Sequence, residues 1–260
     1  MRVIAVANQK GGAGKTTTTV NLAAALVELR RRVLVLDLDP QANASAWLGV
    51  HDAGPGLLEA LVADDDGSLV ELVRPGSAGV DLIPSSAQLA RAERHLGTAL
   101  GGEKILLSLI RGLGASRWDY LLVDCPPALG QLTINALAAA GEILVPVEAS
   151  MMAVAGLMGL VKTVRRARQY LNPDLVICGI FACRVDTRTL LARDVIAALH
   201  ERFPEIALTT TIRETVRLRE AWGQALPINR YAPASTAAED FRELAVEIVR
   251  QEERHAIRSA

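Results

Sequence analysis

The stretch Asn8-Gln9-Lys10-Gly11-Gly12-Ala13-Gly14-Lys15-Thr16-Thr17 limits what this chain can fold into. It follows an apolar run at residues 3–7 and precedes a helical apolar pattern at residues 20–29. A strand, a glycine loop and a helix start, in that order, make an anion site. Glycines let backbone N–H groups approach and point at phosphate oxygens. The helix start adds unpaired N–H groups and a partial positive charge. Lys15 is placed to reach the β- and γ-phosphates of a nucleotide, and the Thr16 hydroxyl to bind Mg²⁺. The bland alternative, a glycine turn with two exposed lysines, leaves the flanking strand and helix unexplained.

A loop of this kind needs a sheet behind it, and the rest of the chain supplies one. Apolar runs at residues 3–7, 33–37, 80–83, 120–123, 143–147, 176–183 and 206–212 read as strands. Most are continuous and rich in Val, Ile and Leu, as expected of strands covered on both faces. Helical periodicity fills residues 15–29, 86–96, 104–112, 132–139, 153–170, 190–202 and 234–251. The alternation predicts an α/β fold with a doubly wound, mainly parallel sheet flanked by helices. Residues 1–260 are expected to form a single domain. Residues 49–79 are less regular, with a short helix at 57–62 and a solvated turn at Asp64-Asp65-Asp66-Gly67. They read as a peripheral excursion.

Half of the residues are hydrophobic and 3% are aromatic, so the core must be built mainly of Ala, Val, Leu and Ile. No apolar run reaches the length of a transmembrane helix. The N-terminus enters a strand at once, which gives the expectation of no signal peptide. Cys125, Cys178 and Cys183 sit in apolar runs and read as buried free thiols of a cytoplasmic protein. His51, His95, His200 and His255 show no metal spacing. Net charge is −1, so any nucleic-acid contact must come from a local patch.

Two further strand ends carry acids. Residues 33–39 run Val-Leu-Val-Leu-Asp-Leu-Asp, and period two puts Asp37 and Asp39 on one face. Residues 118–124 run from Trp118 through an apolar stretch to Asp124, a Walker B arrangement that would hold Mg²⁺ through a water. Strands often end in Asp, and either segment alone would be weak. Beside the glycine loop they acquire a shared purpose.

The loop departs from G-x-x-x-x-G-K-[ST], because Gln9 stands where that pattern has glycine. Its form Lys10-Gly11-Gly12-Ala13-Gly14-Lys15-Thr16 resembles the deviant Walker A motif of the ParA/MinD family of ATPases. Asp37-Leu38-Asp39-Pro40-Gln41 and Asp124-Cys125-Pro126-Pro127 also resemble ParA segments, and the similarity spans residues 3–249. It departs mildly at Ala42, where the family usually has glycine.

What the resemblance implies is specific. ATP and Mg²⁺ are the implied cofactors. Residues Lys10, Gly11, Gly12, Ala13, Gly14, Lys15, Thr16 and Thr17 would hold the nucleotide. Lys10 would reach across a homodimer interface to the partner's phosphates. Lys10, Lys15 and Asp39 would be catalytic, with Asp39 orienting or activating the attacking water. Thr16, Asp39 and Asp124 would serve the metal, partly through water, and Asp37 would support the metal shell and its loop. Arg213 and Glu214 would lie near adenine, although the family usually has Pro-Arg-Asn where this chain has Arg213-Glu214-Thr215.

Arg188 and Arg217 match the arginines with which chromosomal (Soj-type) ParA proteins bind DNA. Charge supports a patch there: residues 162–230 hold 12 Lys/Arg against 7 Asp/Glu. A basic face on a near-neutral chain suits salt-sensitive, backbone-only binding of double-stranded DNA. The implied protein is a cytoplasmic, nucleoid-associated ATPase of chromosome or plasmid partition, stimulated by a ParB-like partner. Relatives that position protein cargo over the nucleoid, and metabolic P-loop enzymes such as dethiobiotin synthetase, are the alternatives. The C-terminal residues are too charged for a MinD-like membrane helix.

Overall fold

Strands bury both faces here because their side chains alternate between two helical layers. The computed structural model describes residues 1–63, 68–114 and 116–259, with side chains to residue 252. The turn expected at residues 64–67 lies outside the described residues. Eight strands form one sheet: β1 Arg2–Val6, β2 Val33–Asp37, β3 Arg74–Pro75, β4 Asp81–Ile83, β5 Tyr120–Asp124, β6 Glu142–Glu148, β7 Val176–Val185 and β8 Ile212–Arg213. Their spatial order is β3-β4-β2-β5-β1-β6-β7-β8. All pairings are parallel except that of the short edge strand β3 with β4. The doubly wound, mainly parallel sheet expected from the alternation is therefore present.

The helices are α1 Lys15–Glu28, α2 Asn43–Trp47, α3 Gly56–Val62, α4 Ala92–Thr98, α5 Ile105–Gly112, α6 Gln131–Ala139, α7 Met151–Tyr170, α8 Leu190–Arg202, α9 Val216–Gly223, α10 Ile228–Tyr231 and α11 Thr236–Ser259. Period two sorts the core into two halves. Ala5, Leu34, Leu36, Leu121 and Val123 pack on one face, with residues of α4–α8. Ile4, Val33, Val35, Tyr120 and Leu122 pack on the other, against α1 and α11. No described helix is long and apolar enough to cross a membrane.

The expectation of a strand over residues 206–212 is corrected. Only Ile212–Arg213 is a strand, with one isolated bridge from Ala207 to Ile180. Between them the Glu247 carboxylate accepts the backbone N–H groups of Thr209 (2.9 Å) and Thr210 (3.0 Å). A side chain of α11 thus takes donors that a ladder would use. The helix expected at 86–96 is split: residues 87–91 form a 3₁₀ turn before α4. Helices α2, α9 and α10 were not anticipated, being too short to show periodicity.

Ala42 precedes α2 with φ +53°, a left-handed backbone that costs a residue bearing Cβ about 1–2 kcal/mol. Ala42→Gly is expected to stabilise the fold by about 0.5–1 kcal/mol after the greater freedom of glycine in the unfolded chain is counted. Calorimetry should show a rise in Tm of about 1–3 °C; a fall would mean that the turn is not strained.

Candidate nucleotide site

The glycine loop and α1 meet at the carboxyl end of β1. Here the chain, having run outward to β4, returns through β5 and then proceeds to β6–β8 on the other side. Ligands bind at such a reversal because the loops on either side part and leave a crevice. An open cleft of about 560 Å³ lies there, lined by the whole loop from Gly11 to Thr18. Gly14 has φ +82°, and a Cβ on it would stand 3.2 Å from Cys183 Sγ. Glycine is therefore required both by the backbone and by the close approach of β7. Helix α1 begins with no side-chain cap and no acidic residue in its first turn. Its leading N–H groups face the cleft without an internal anion to satisfy them.

Lys15 is buried, and burial lowers its pKa, while Asp124 opposes that shift by favouring the charged form. A buried ammonium at the base of a phosphate cradle suits a polyanion. Asp124 ends β5 fully buried. Its Oδ2 accepts from Thr16 Oγ1 at 2.7 Å, and its Oδ1 accepts from Thr19 Oγ1 at 3.1 Å. Asp37 ends the neighbouring strand in register with it. Burial raises the pKa of both carboxyls; the charges of Asp37 and Asp39 add to the shift of Asp124, and that of Asp39 adds to the shift of Asp37. Two adjacent, desolvated carboxyls are what a divalent cation would relieve. Thr16, Asp124 and the cleft-lining Asp39 thus fit Mg²⁺ as a donor set of hard oxygens.

The expectation that Asp37 and Asp39 share a strand face is corrected, because β2 ends at Asp37 and the chain then turns. Asp37 points inward and accepts from Ser45 N (2.8 Å), Ser45 Oγ (2.7 Å) and Asp39 N (3.1 Å). It holds the Asp39 turn. Asp39 lines the cleft, with Oδ1 accepting from Gln41 N at 3.0 Å.

Thr17, Arg213 and Glu214 also line the cleft. The Arg213 guanidinium is engaged by Asp240 (Nε–Oδ1 2.9 Å) and Glu239 (3.1 Å), so its side chain braces α11. The same end holds Ile212, Leu218 and Phe241, an apolar slot suited to a planar base. Lys10 lies outside the lining. Its ammonium pairs with Glu148 at the end of β6. Arg188 and Arg217 are exposed, remote in chain from the loop, and each pairs locally: Arg188 with Asp186 at 2.8 Å and Arg217 with Glu220 at 3.0 Å. Cys125, Cys178 and Cys183 are buried and unbridged, as expected.

Glu148, Arg184, Ser45 and Cys183 are site residues that sequence reasoning missed. Glu148 carried the same signal as Asp37 and Asp124, an acid ending an apolar strand. The other three carried no local signal.

Fold and loop together define a P-loop nucleoside-triphosphate-binding protein. A family model described as an AAA domain matches residues 1–177. The chain is 40% identical over 253 residues to the sporulation initiation inhibitor protein Soj of Bacillus subtilis, covering 95% of this chain and 98% of that protein. It is 43% identical to the chromosome-partitioning ATPase Soj of Thermus thermophilus, covering 96% of each. Its fold is similar to a structure of cobyrinic acid a,c-diamide synthase from Mycobacterium smegmatis with bound ATP analogue and magnesium. That match has a TM-score of 0.85 and 34% identity, over 96% of this chain and 94% of that one. It is also similar to the septum site-determining protein MinD of Pyrococcus horikoshii complexed with Mg-ADP, at TM-score 0.76 and 27% identity over 95% of each. The chain belongs to the Soj/ParA family of partition ATPases.

Proposed function

We propose that this protein is a DNA-segregation ATPase whose ATP-bound form is a sandwich dimer that binds DNA without sequence preference. Hydrolysis, stimulated by a ParB-like partner, releases it. The observation that carries the dimer is the position of Lys10. It stands on the lip of the cleft with its side chain exposed and outside the lining, where it can serve a facing subunit's phosphates better than its own.

The chain's own groups then divide the work. Loop N–H groups and Lys15 hold the β- and γ-phosphates, and Thr16, Asp124 and Asp39 would hold Mg²⁺. Magnesium, when bound, would neutralise part of the phosphate charge. Asp39 orients a water in line with the γ-phosphorus. The water's oxygen bonds to that phosphorus as the bond to the β–γ bridging oxygen breaks, giving ADP and phosphate. Phosphoryl transfer needs mostly positioning and charge stabilisation, so no protein nucleophile is required.

Arg188 and Arg217 would meet phosphates of double-stranded DNA. Each must exchange an exposed carboxylate for a phosphate, and exposed ion pairs of this kind are weak enough to give way. Gel shifts with ATP, ADP or no nucleotide test this reading: binding should require ATP and ignore sequence. Arg188→Glu with Arg217→Glu should weaken binding at moderate salt by at least about tenfold and reduce the salt slope by about 2. Full binding by the double variant would reject the patch.

A second reading, an ATP-using enzyme of small-molecule metabolism, draws on the similarity to the Mycobacterium smegmatis structure. DNA binding that requires ATP would reject it.

A further inference from the structure

Four charged side chains form a ladder over the mouth of the cleft. Lys10 Nζ donates to Glu148 Oε2. The other oxygen of that carboxylate, Oε1, accepts from Arg184 Nη1 at 3.2 Å. Arg184 Nη2 donates to Glu214 Oε1 at 3.3 Å. The ladder joins the glycine loop, the end of β6, the end of β7 and the segment after β8. Its first rung is the lysine assigned above to the facing subunit. Its last two residues, Arg184 and Glu214, line the base end of the cleft.

Arg184 is built for this position at some cost to the backbone. It has φ +55°, and the pairing of β7 with β8 shifts register between Cys183 and Val185. Irregularities of this kind bend a strand and re-aim one side chain, and they recur beside active sites. Glu214 N donates to Val185 O at 3.0 Å, so the bulge and the base-end segment are tied together. All four side chains are a quarter to a half exposed, and their pairing is therefore weak enough to exchange.

We propose that Glu148 and Arg184 are positioning residues for Lys10: Glu148 holds the Lys10 ammonium on its own subunit while the cleft is empty, and Arg184 couples filling of the base end to its release. A base entering beside Glu214 takes that carboxylate away from Arg184, and the guanidinium closes on Glu148 in competition with Lys10. Glu148 and Glu214 then reorganise, and Lys10 becomes free to leave. The Glu148 carboxyl is held below its ordinary range, chiefly by the hydrogen bond from Lys10. This inference rests on the nucleotide reading of the cleft, and it adds a check that keeps Lys10 home until that cleft is occupied.

The test measures how fast an amine-reactive reagent modifies Lys10 in the full chain, read by peptide mass spectrometry with Lys162 as the internal reference. ADP with magnesium is the probe, because it fills the cleft without the γ-phosphate that the dimer requires. In the unsubstituted protein ADP should raise Lys10 labelling by a factor on the order of 2–5. Glu148→Gln should label at the fast rate with or without ADP, and Glu148→Asp should restore part of the protection. Arg184→Gly removes the guanidinium and suits φ +55°, so its Tm should not fall, yet its Lys10 should stay slow when ADP is added. Equal labelling of Glu148→Gln and the unsubstituted protein would overturn the proposal, as would a full ADP response in Arg184→Gly. Binding of a fluorescent ADP analogue is measured alongside. Failure to bind would count against the nucleotide reading, whereas binding without a labelling response would count against the ladder alone.

Discussion

Asp39→Ala is expected to lower ATP turnover by on the order of 100-fold or more while ATP still binds within a few-fold of its original affinity. The separation follows from geometry. The phosphate cradle consists of Gly11–Thr18, whereas Asp39 reaches the cleft from the turn after β2. Its Oδ1 fixes the turn through Gln41 N, and among the described residues no donor is bonded to Oδ2. That oxygen is the one left to orient water. Single-turnover hydrolysis and binding of a fluorescent ATP analogue check the two halves. Unchanged turnover would remove Asp39 from the chemistry. Loss of both would mean that the turn had collapsed, and Asp39→Asn, which keeps an acceptor for Gln41, separates that case.

Asp124→Asn should make the nucleotide-free protein more stable and its response to ATP with magnesium much smaller. Asp37 and Asp124 are adjacent, buried and raised in pKa mainly by desolvation. A carboxyl raised in the folded state binds more protons folded than unfolded. Stability is therefore greatest below the unfolded pKa near 4, declines as pH rises from there through the raised folded value, and is level above it. For one such group the slope is about 1 kcal/mol per pH unit. Nucleotide-free melting temperature should thus fall between about pH 5 and 7.5. Asp124→Asn should flatten that fall, stabilise the protein at neutral pH by on the order of 1–3 kcal/mol, and leave a neutral acceptor for one of the two threonines, the other hydroxyl accepting from the amide instead. A bound ligand at a hundredfold excess over its Kd adds about 3 kcal/mol to the original protein. Most of that gain should disappear in the variant. An unchanged pH profile would show that the two carboxyls are not the source of the slope. The protein tolerates an unstable pair because the pair is useful only when a cation arrives, a common arrangement at functional sites.

Much of the fold was legible because both periodicities are strong. Eight of the eleven helices among the described residues, and the strands of the sheet's centre, were expected, most of them from the spacing of apolar residues. What was missed is short or held by distant side chains. Residues 206–211 look like a strand, but Glu247 in α11 captures two of their N–H groups. Asp37 and Asp39 look like a pair on one face. Ser45, presented by the unforeseen α2, instead captures Asp37 and leaves Asp39 in the cleft.

The candidate site divides in the same way. Lys10, Gly11 through Thr17, Asp39 and Asp124 could be named from the chain because a phosphate cradle is a local object. It needs one strand, one glycine loop and one helix start within about ten residues. The paired carboxyls needed only the observation that strands in such a sheet end on one edge. Arg184, Glu148 and Cys183 belong to the same few ångströms but come from β6 and β7, far away in sequence. Nothing local announces a left-handed arginine or a thiol 3.2 Å from where a Gly14 Cβ would stand. Sequence alone determined that this chain cradles a phosphate and carries an extra lysine beside it, since backbone freedom and helix polarity are properties of contiguous residues. Only the tertiary structure decided where that lysine rests, since an ion pair across 138 positions exists only after parallel packing brings two strand ends together.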